Sequence, residues 1–194
     1  MISGQLVSIL IRFGYTVKTF ETRITAADYL DSVIDGKTVG LGDSQTLISM
    51  KIHERLSSHT QVFDPAPEWR GDRDFTEVAD ETIPTDIFIS SVNAIAETGE
   101  LVNIDRRGNR VIGTLYGHEK LYLVAGRNKI VPALEEAIYR ARNVAAPMNA
   151  SRRSGWKTPC AKTGRCMDCS SPDRLCNAMV IHFRKCTDMI RRSC

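Results

Sequence analysis

The strongest chemical signal in the sequence is a group of four cysteines near its C-terminal end, at Cys160, Cys166, Cys169 and Cys176. The two central cysteines are separated by two residues, a spacing that lets two thiolates grip one metal ion from a tight turn. Four thiolates suit tetrahedral Zn²⁺ or an iron–sulfur cluster, so the pattern predicts one of these two cofactors. Free thiols or a redox disulfide are the alternative. Cys186 and Cys194 lie outside this group and carry no motif.

Two glycine-containing turns are candidate cradles for an anion. Their residues are Gly40, Gly42, Asp43 and Ser44 in the first turn and Gly126, Arg127, Asn128 and Lys129 in the second. Each turn follows a predicted strand, and open α/β sheets bind ligands at the C-terminal ends of their strands. Glycines there let backbone N–H groups approach a phosphate or carboxylate. For the first turn, the alternative is a tight bend in which Asp43 or Ser44 caps the next helix.

A polar segment between these turns suits the same kind of ligand. Its candidate ligand-binding residues are Asn93, Asn103, Asp105, Asn109 and Arg110. Carboxylates and amides beside basic side chains favour a polar, anionic small molecule. Within the segment, Glu97 and Glu100 are candidate catalytic residues, because a desolvated carboxylate can act as a base or a nucleophile. The alternative is a hydrogen-bonded loop whose side chains satisfy their own turns.

Alternating strand and helix patterns must position these residues. Apolar periodicity predicts helices at Ile2–Phe13, Thr25–Ile34, Gln45–Leu56, Asp72–Glu81, Gly108–Tyr116 and from Pro132 to Ala141. Short apolar or alternating runs predict strands at Tyr15–Phe20, Thr38–Leu41, Gln61–Phe63, Asp86–Ser91, Leu101–Ile104, Leu121–Val124 and Ala178–Phe183. The alternation indicates an α/β fold with a mostly parallel sheet covered by helices on both faces.

The alternation stops at Ala146-Pro147, which divides the chain into a predicted α/β domain at 1–150 and a tail at 151–194. Much of the tail is rich in Cys, Arg, Ser, Gly and Pro and poor in large apolar residues. Such a segment buries little core by itself, so we expect it to need a metal ion or packing against the main domain.

Composition limits the partners and the compartment. The 26 basic and 23 acidic residues give a net charge of +3, which is too balanced to indicate a nucleic-acid partner. No apolar stretch approaches the ~18 residues of a membrane span, and the N-terminal segment lacks the features of a signal peptide. We therefore expect a cytoplasmic protein with no membrane partner, in which cysteines serve as metal or redox ligands. The sequence leaves open whether the chain forms a homo-oligomer.

The same motifs carry a family resemblance over nearly the whole chain. The sequence resembles LUD-domain proteins of bacterial lactate utilisation, in the branch with a C-terminal four-cysteine segment. The matching runs are Val39–Ser44, Ser91–Asp105, Gly108–Val111, Val124–Val131, Arg142–Ala150 and Thr158–Asn177. One departure concerns the end of the chain, because relatives usually carry another apolar strand after the cysteines, whereas Thr187–Cys194 is short and basic.

This resemblance implies a fold similar to that of ribose-phosphate isomerases, CoA transferases and folate cyclo-ligases. It also implies a part in converting L-lactate to pyruvate beside iron–sulfur partner proteins, without a settled catalytic role for the LUD domain. Three hypotheses follow. The protein is an accessory or electron-transfer component with a metal or iron–sulfur centre, an enzyme acting on a small anionic or acyl substrate, or a zinc-stapled scaffold.

Overall fold

The structure, a computed structural model, describes residues 2–153 and 155–186. The segment Thr187–Cys194, including Cys194, lies outside the described residues. The helices are α1 Gly4–Arg12, α2 Arg23–Val33, α3 Gln45–Ser49, α4 Ile52–Leu56, α5 Pro67–Arg70, α6 Phe75–Thr82, α7 Asn109–Gly113, α8 Leu134–Arg140, α9 Ala146–Ser151 and α10 Pro159–Thr163. The strands are β1 Val39–Leu41, β2 Val62–Phe63, β3 Ile87–Ser90, β4 Ala94–Ala96, β5 Leu101–Asp105, β6 Lys120–Leu123, β7 Ile130–Val131 and β8 Ala178–His182.

The first sheet is parallel throughout, with the strand order β2-β1-β3-β6. Its central strands β1 and β3 are buried along their whole length, as expected for strands that helices cover on both faces. Helices connect these strands, because parallel neighbours need crossover connections. The predicted α/β class, with a parallel sheet flanked by helices, is confirmed.

The second sheet is mixed and was not separated from the first by the sequence pattern. Its order is β7-β4-β5-β8, with antiparallel β4–β5 and β5–β8 pairs and a parallel β4–β7 pair. The β4–β5 turn contains Gly99 at a φ of 108°, and a Cβ there would lie 2.6 Å from Ile9 Cγ2. Helix α1 therefore packs directly on this turn, and only glycine fits the turn without strain.

Two predicted elements differ from the structure. The segment Tyr15–Phe20 has no strand pairing, and its alternation instead buries Tyr15 and Val17 against the cluster around Leu6 and Leu10. Alternate residues of this segment face the core, which gives the sequence period of a strand although no other strand pairs with it. The single helix predicted at Gln45–Leu56 is two helices, because Lys51 between them takes a left-handed conformation with φ 54° and ψ 41°.

The helix predicted from Pro132 runs further than expected. Residues Leu134–Ser151 form one helical run in which a π-helical turn at Ala141–Ala145 joins α8 to α9. Pro147 follows this turn, and proline provides no N–H and crowds the carbonyl one turn before it. A π turn relieves that conflict by lengthening the local repeat. Arg140 in this run and Arg152 directly after it both line the cleft described below.

Among residues 2–153 and 155–186, no helix combines the length and the apolar character needed to cross a bilayer.

Candidate functional site

A large cleft opens where the parallel sheet meets the mixed sheet. It receives the loops that follow β1, β3 and β6 and one side of the helical run Leu134–Ser151. The carboxyl ends of neighbouring parallel strands meet at one edge of a sheet, so these loops converge there. Of the predicted ligand-binding residues, the cleft is lined by Asp43, Ser44, Asn93, Asp105, Asn109, Arg110, Gly126, Arg127, Asn128 and Lys129.

The two glycines of the first turn allow close packing behind this cleft. A Cβ at Gly40 would lie 2.8 Å from the Thr82 carbonyl oxygen, and one at Gly42 would lie 2.7 Å from Ser90 Oγ. Ser44 caps α3, because its Oγ accepts a hydrogen bond from the Thr46 N–H at 3.2 Å. In this structure Gly40 and Gly42 allow close packing and Ser44 caps a helix, as the alternative interpretation of the turn expects. Contact of these residues with an anion stays a prediction.

Arg110 links the two sheets by hydrogen bonds, and its side chain is largely buried. Its Nη1 donates to Asn103 Oδ1 at 2.7 Å and to the Ser91 carbonyl at 3.1 Å. Its Nη2 donates to the Ile104 carbonyl at 2.6 Å and to Asn93 Oδ1 at 3.2 Å. Burial lowers the pKa of this guanidinium. With both Nη atoms engaged by the protein, Arg110 positions the end of β3 against β5.

Asp105 and the two asparagines belong to the same hydrogen-bonded framework. Asp105 accepts from the backbone N–H groups of Arg107 at 3.2 Å and Val111 at 3.2 Å, which holds the start of α7. Asn93 Oδ1 also accepts from the Ile104 N–H at 2.7 Å. The buried Asn103 Nδ2 has no hydrogen-bond partner among the described residues. These contacts favour the alternative in which the side chains of Asn93 and Asp105 satisfy hydrogen bonds of their own loops.

Lys129 differs from Arg110, because its charge has no counter-charge among the described residues. Its Nζ donates to Ser91 Oγ at 2.6 Å and to Thr46 Oγ1 at 3.0 Å. Within the part of the chain that the structure describes, no carboxylate forms an ion pair with it. Burial, together with repulsion from Arg140, Arg110 and Arg152, lowers the pKa of Lys129 to about 8.

The second glycine turn and the helical run place Lys129 among these cations. Gly126 starts the tight 3₁₀ turn Arg127–Lys129, and a Cβ at this glycine would lie 2.6 Å from Asn128 Oδ1. Arg140 supports the turn by donating from Nε to the Asn128 carbonyl at 3.2 Å. Burial lowers the pKa of Arg140 as well. The turn residue Arg127 is exposed at the cleft.

The cleft contains two carboxylates among the predicted residues, and both are engaged elsewhere. Asp43 forms an ion pair with Arg153, and both side chains are largely buried. Asp105 lies 3.9 Å from Arg110 Nε in addition to its backbone contacts. The cleft around Lys129 therefore keeps an excess of positive charge, which favours an anionic ligand.

Glu97 and Glu100 lie in the β4–β5 turn and do not line the cleft, although the neighbouring Ile95 and Leu101 do. Glu97 is exposed, and Glu100 accepts a hydrogen bond from the Thr98 hydroxyl. A catalytic carboxylate would have to be desolvated, and the exposed Glu97 is not. A catalytic role for Glu97 stays a prediction.

The four predicted metal ligands lie in one segment, each as a partly buried free thiol. Arg142 Nη2 lies 3.8 Å from Cys166 Sγ, and Arg174 interacts with Cys176. Among the described residues, however, no group of three or more His, Cys, Asp or Glu side chains is arranged to hold a metal ion. The thiols as placed do not fit a tetrahedral site, and the zinc or iron–sulfur centre stays a prediction from the spacing.

Among the cleft residues that the sequence did not predict, four surround Lys129, namely Thr46, Ser91, Arg140 and Arg152. Ser91 is the last residue of the strongest predicted strand, so its position at a strand end was a usable signal. No local pattern marks the two arginines as cleft residues, because only the fold of the helical run turns them toward Lys129.

Comparisons with known proteins address the family. No curated protein sequence matches the chain significantly. Among solved structures, the chain is similar to ribose 5-phosphate isomerase A from Neisseria gonorrhoeae, at 16% identity and a TM-score of 0.40. That match covers 67% of this chain and 62% of the isomerase, less than two thirds of its length, and at this similarity it carries no inference about function. The LUD domain matches residues 5–188, and the chain therefore belongs to the LUD-domain family.

Proposed function

We propose that this LUD-domain protein of the lactate-utilisation type binds a small anion, a carboxylate or a phosphate, in the cleft beside Lys129. The observation that carries the proposal is that Lys129 has no carboxylate as an ion-pair partner in the part of the chain that the structure describes. Its Nζ contacts two hydroxyl oxygens, and its charged neighbours in the cleft are the arginines Arg110, Arg140 and Arg152. Burying such a cation costs free energy that a bound anion recovers.

The geometry around Lys129 suits a ligand of modest size. Arg140 uses Nε and Nη1 for backbone carbonyls of the cleft wall, and its Nη2 makes no hydrogen bond to any described residue. Arg152 is exposed, and its side chain makes no hydrogen bond or ion pair with the described residues. A carboxylate or phosphate beside Lys129 would therefore meet donors that the protein itself leaves available.

The test is anion binding by the full chain, measured by calorimetry and by the shift in thermal unfolding. L-lactate, pyruvate and inorganic phosphate serve as probes, with Lys129→Met as the variant. Lys162→Met is the matched control, since Lys162 is exposed on α10 and does not line the cleft. We expect Lys129→Met to weaken binding at least about tenfold, the value of one charge-assisted hydrogen bond. Equal binding by the wild type and Lys129→Met, or no binding of any probe, would refute the proposal.

An accessory or electron-transfer role with a zinc or iron–sulfur centre is a second and independent proposal. It is favoured by the cationic side chains Arg142 and Arg174 beside Cys166 and Cys176, because nearby positive charge stabilises thiolates. A bound centre would supply electron transfer if it is iron–sulfur and a structural staple if it is zinc. Binding requires an arrangement of the thiols other than the one described.

Elemental analysis and a visible spectrum of protein purified without oxygen test this second proposal. Stoichiometric iron with sulfide, or zinc, should disappear in Cys166→Ser and persist in the control Cys186→Ser, since Cys186 lies outside the spacing motif. Metal-free protein would refute it. The thiols favour a cytoplasmic location, where cysteines stay reduced. Iron–sulfur partners and a homo-oligomer are tested by copurification and by the solution mass.

A further inference from the structure

The Lys129 amine has the surroundings of a nucleophile rather than of a structural cation. A neutral amine has two N–H bonds and one lone pair. Thr46 Oγ1 and Ser91 Oγ lie 3.0 Å and 2.6 Å from Nζ and accept both N–H bonds. This leaves the lone pair for an electrophile in the cleft. Ser91 itself is only 4% exposed, whereas Lys129 is partly exposed, so a ligand entering the cleft meets the amine first.

Burial and the charges around the amine keep about a tenth of it neutral at pH 7. The charged groups that act on it are Arg110, Arg140 and Arg152, and the cleft residue Asp43 pairs with Arg153. With a pKa of about 8, against 10.5 for an ordinary lysine, the neutral fraction at neutral pH is roughly 300 times that of a surface lysine. A lysine activated by burial and neighbouring cations is a recurring carbonyl nucleophile.

The arginines beside the amine define the other half of the ligand. A carbonyl compound that also carries a carboxylate would place that carboxylate against the available Nη2 of Arg140 and the exposed Arg152. We propose that Lys129 forms an imine with a 2-oxo acid, whose carboxylate these two arginines hold. This inference rests on the proposed anion site and names the substrate class of that site.

The step is a condensation that needs no oxidant. The Nζ lone pair attacks the carbonyl carbon and forms the C–N bond, giving a carbinolamine. The two amine protons and the former carbonyl oxygen then leave as water, and a C=N bond remains between Lys129 and the ligand. The Ser91 and Thr46 hydroxyls lie within hydrogen-bond distance of Nζ and are placed to pass these protons.

Reductive trapping tests the imine directly. The full chain is incubated with pyruvate and cyanoborohydride, which delivers hydride to an imine, and the adduct is located by intact mass and peptide mapping. L-lactate is the ligand control, because it has the same carboxylate and no carbonyl. We expect one saturable adduct at Lys129 in the wild type and in Lys162→Met, and none with L-lactate. Labelling of Lys129 should exceed that of Lys162 by more than tenfold at neutral pH.

Variants and binding data separate this inference from the proposed function. Lys129→Arg keeps the positive charge and has no nucleophilic amine, so it should bind pyruvate without forming the adduct, and its thermal unfolding reports whether it folds. Binding of pyruvate to the wild type without an adduct at Lys129 would overturn the imine and leave the anion site standing. Absence of both binding and adduct would overturn both. Labelling spread evenly over surface lysines also contradicts the imine.

Discussion

Raising the pH should stabilise the wild-type protein relative to Lys129→Met. In the unfolded chain this lysine titrates near 10.5, whereas in the folded protein burial lowers its pKa to about 8. Below the lower pKa both states hold the proton. Between the two pKa values the folded protein releases the proton while the unfolded chain keeps it. Stability therefore rises with pH through this window, because the unfolded state binds more protons.

The size of the effect follows from the gap between the two pKa values. A difference of about 2.5 between the two pKa values corresponds to roughly 3.4 kcal/mol of stability before screening by water is taken into account. Lys129 is partly exposed, and screening by water reduces this to about 2 kcal/mol. That change is a large fraction of the stability of a domain of this size, so it is measurable by ordinary unfolding experiments.

Urea unfolding followed by the fluorescence of Trp69 and Trp156 provides the assay. The wild type and Lys129→Met are unfolded at several pH values from neutral to 10.5, with reductant present. Subtracting the two curves cancels the titration of the other groups, and the difference should rise by about 2 kcal/mol. Saturating phosphate should move the rise to higher pH, because a bound anion favours the charged amine. A flat or falling difference without phosphate would refute the reasoning about the cation cluster.

Three further predictions concern stability. Arg110→Met should destabilise the protein by about 3 kcal/mol in urea unfolding, since it leaves buried carbonyl and amide acceptors without their donor, and an unchanged midpoint would contradict this. Gly99→Ala should lower the stability by about 2 kcal/mol, because the new Cβ would overlap Ile9 at a positive φ, and thermal unfolding checks it. Tyr15→Phe should abolish the loss of stability that the ionisation of Tyr15 causes above pH 10. Burial raises the pKa of this phenol, which has no hydrogen-bond partner among the described residues, to about 12, so the unfolded chain ionises first. Equal pH profiles of the wild type and the variant would contradict this.

The parallel sheet was predictable because each of its central strands is recognisable locally. The apolar runs of β1 and β3 are buried on both faces, so hydrophobicity alone marks them. The Ser44 cap is equally local, because capping depends on residues within one turn. The loops after these strands could therefore be assigned to one sheet edge, whereas the binding of an anion at the Lys129 turn stays a prediction.

Tertiary structure decided the remaining features. Strands β4 and β7 are too short to carry a period, and they exist because distant backbone groups pair with them. The alternation at Tyr15–Phe20 reflects burial without pairing, which sequence periodicity cannot distinguish from a strand.

The amino-acid sequence by itself determined the four strands of the parallel sheet, the turn that holds Lys129 and the family to which the chain belongs. It did not determine the chemistry of that lysine. The pKa of an amine depends on how much water surrounds it and on which charges stand near it, and Arg140 and Arg152 reach it only through the fold of the helical run. Local periodicity records which face of an element is buried, whereas the electrostatics of a cleft arise from side chains that only folding brings together.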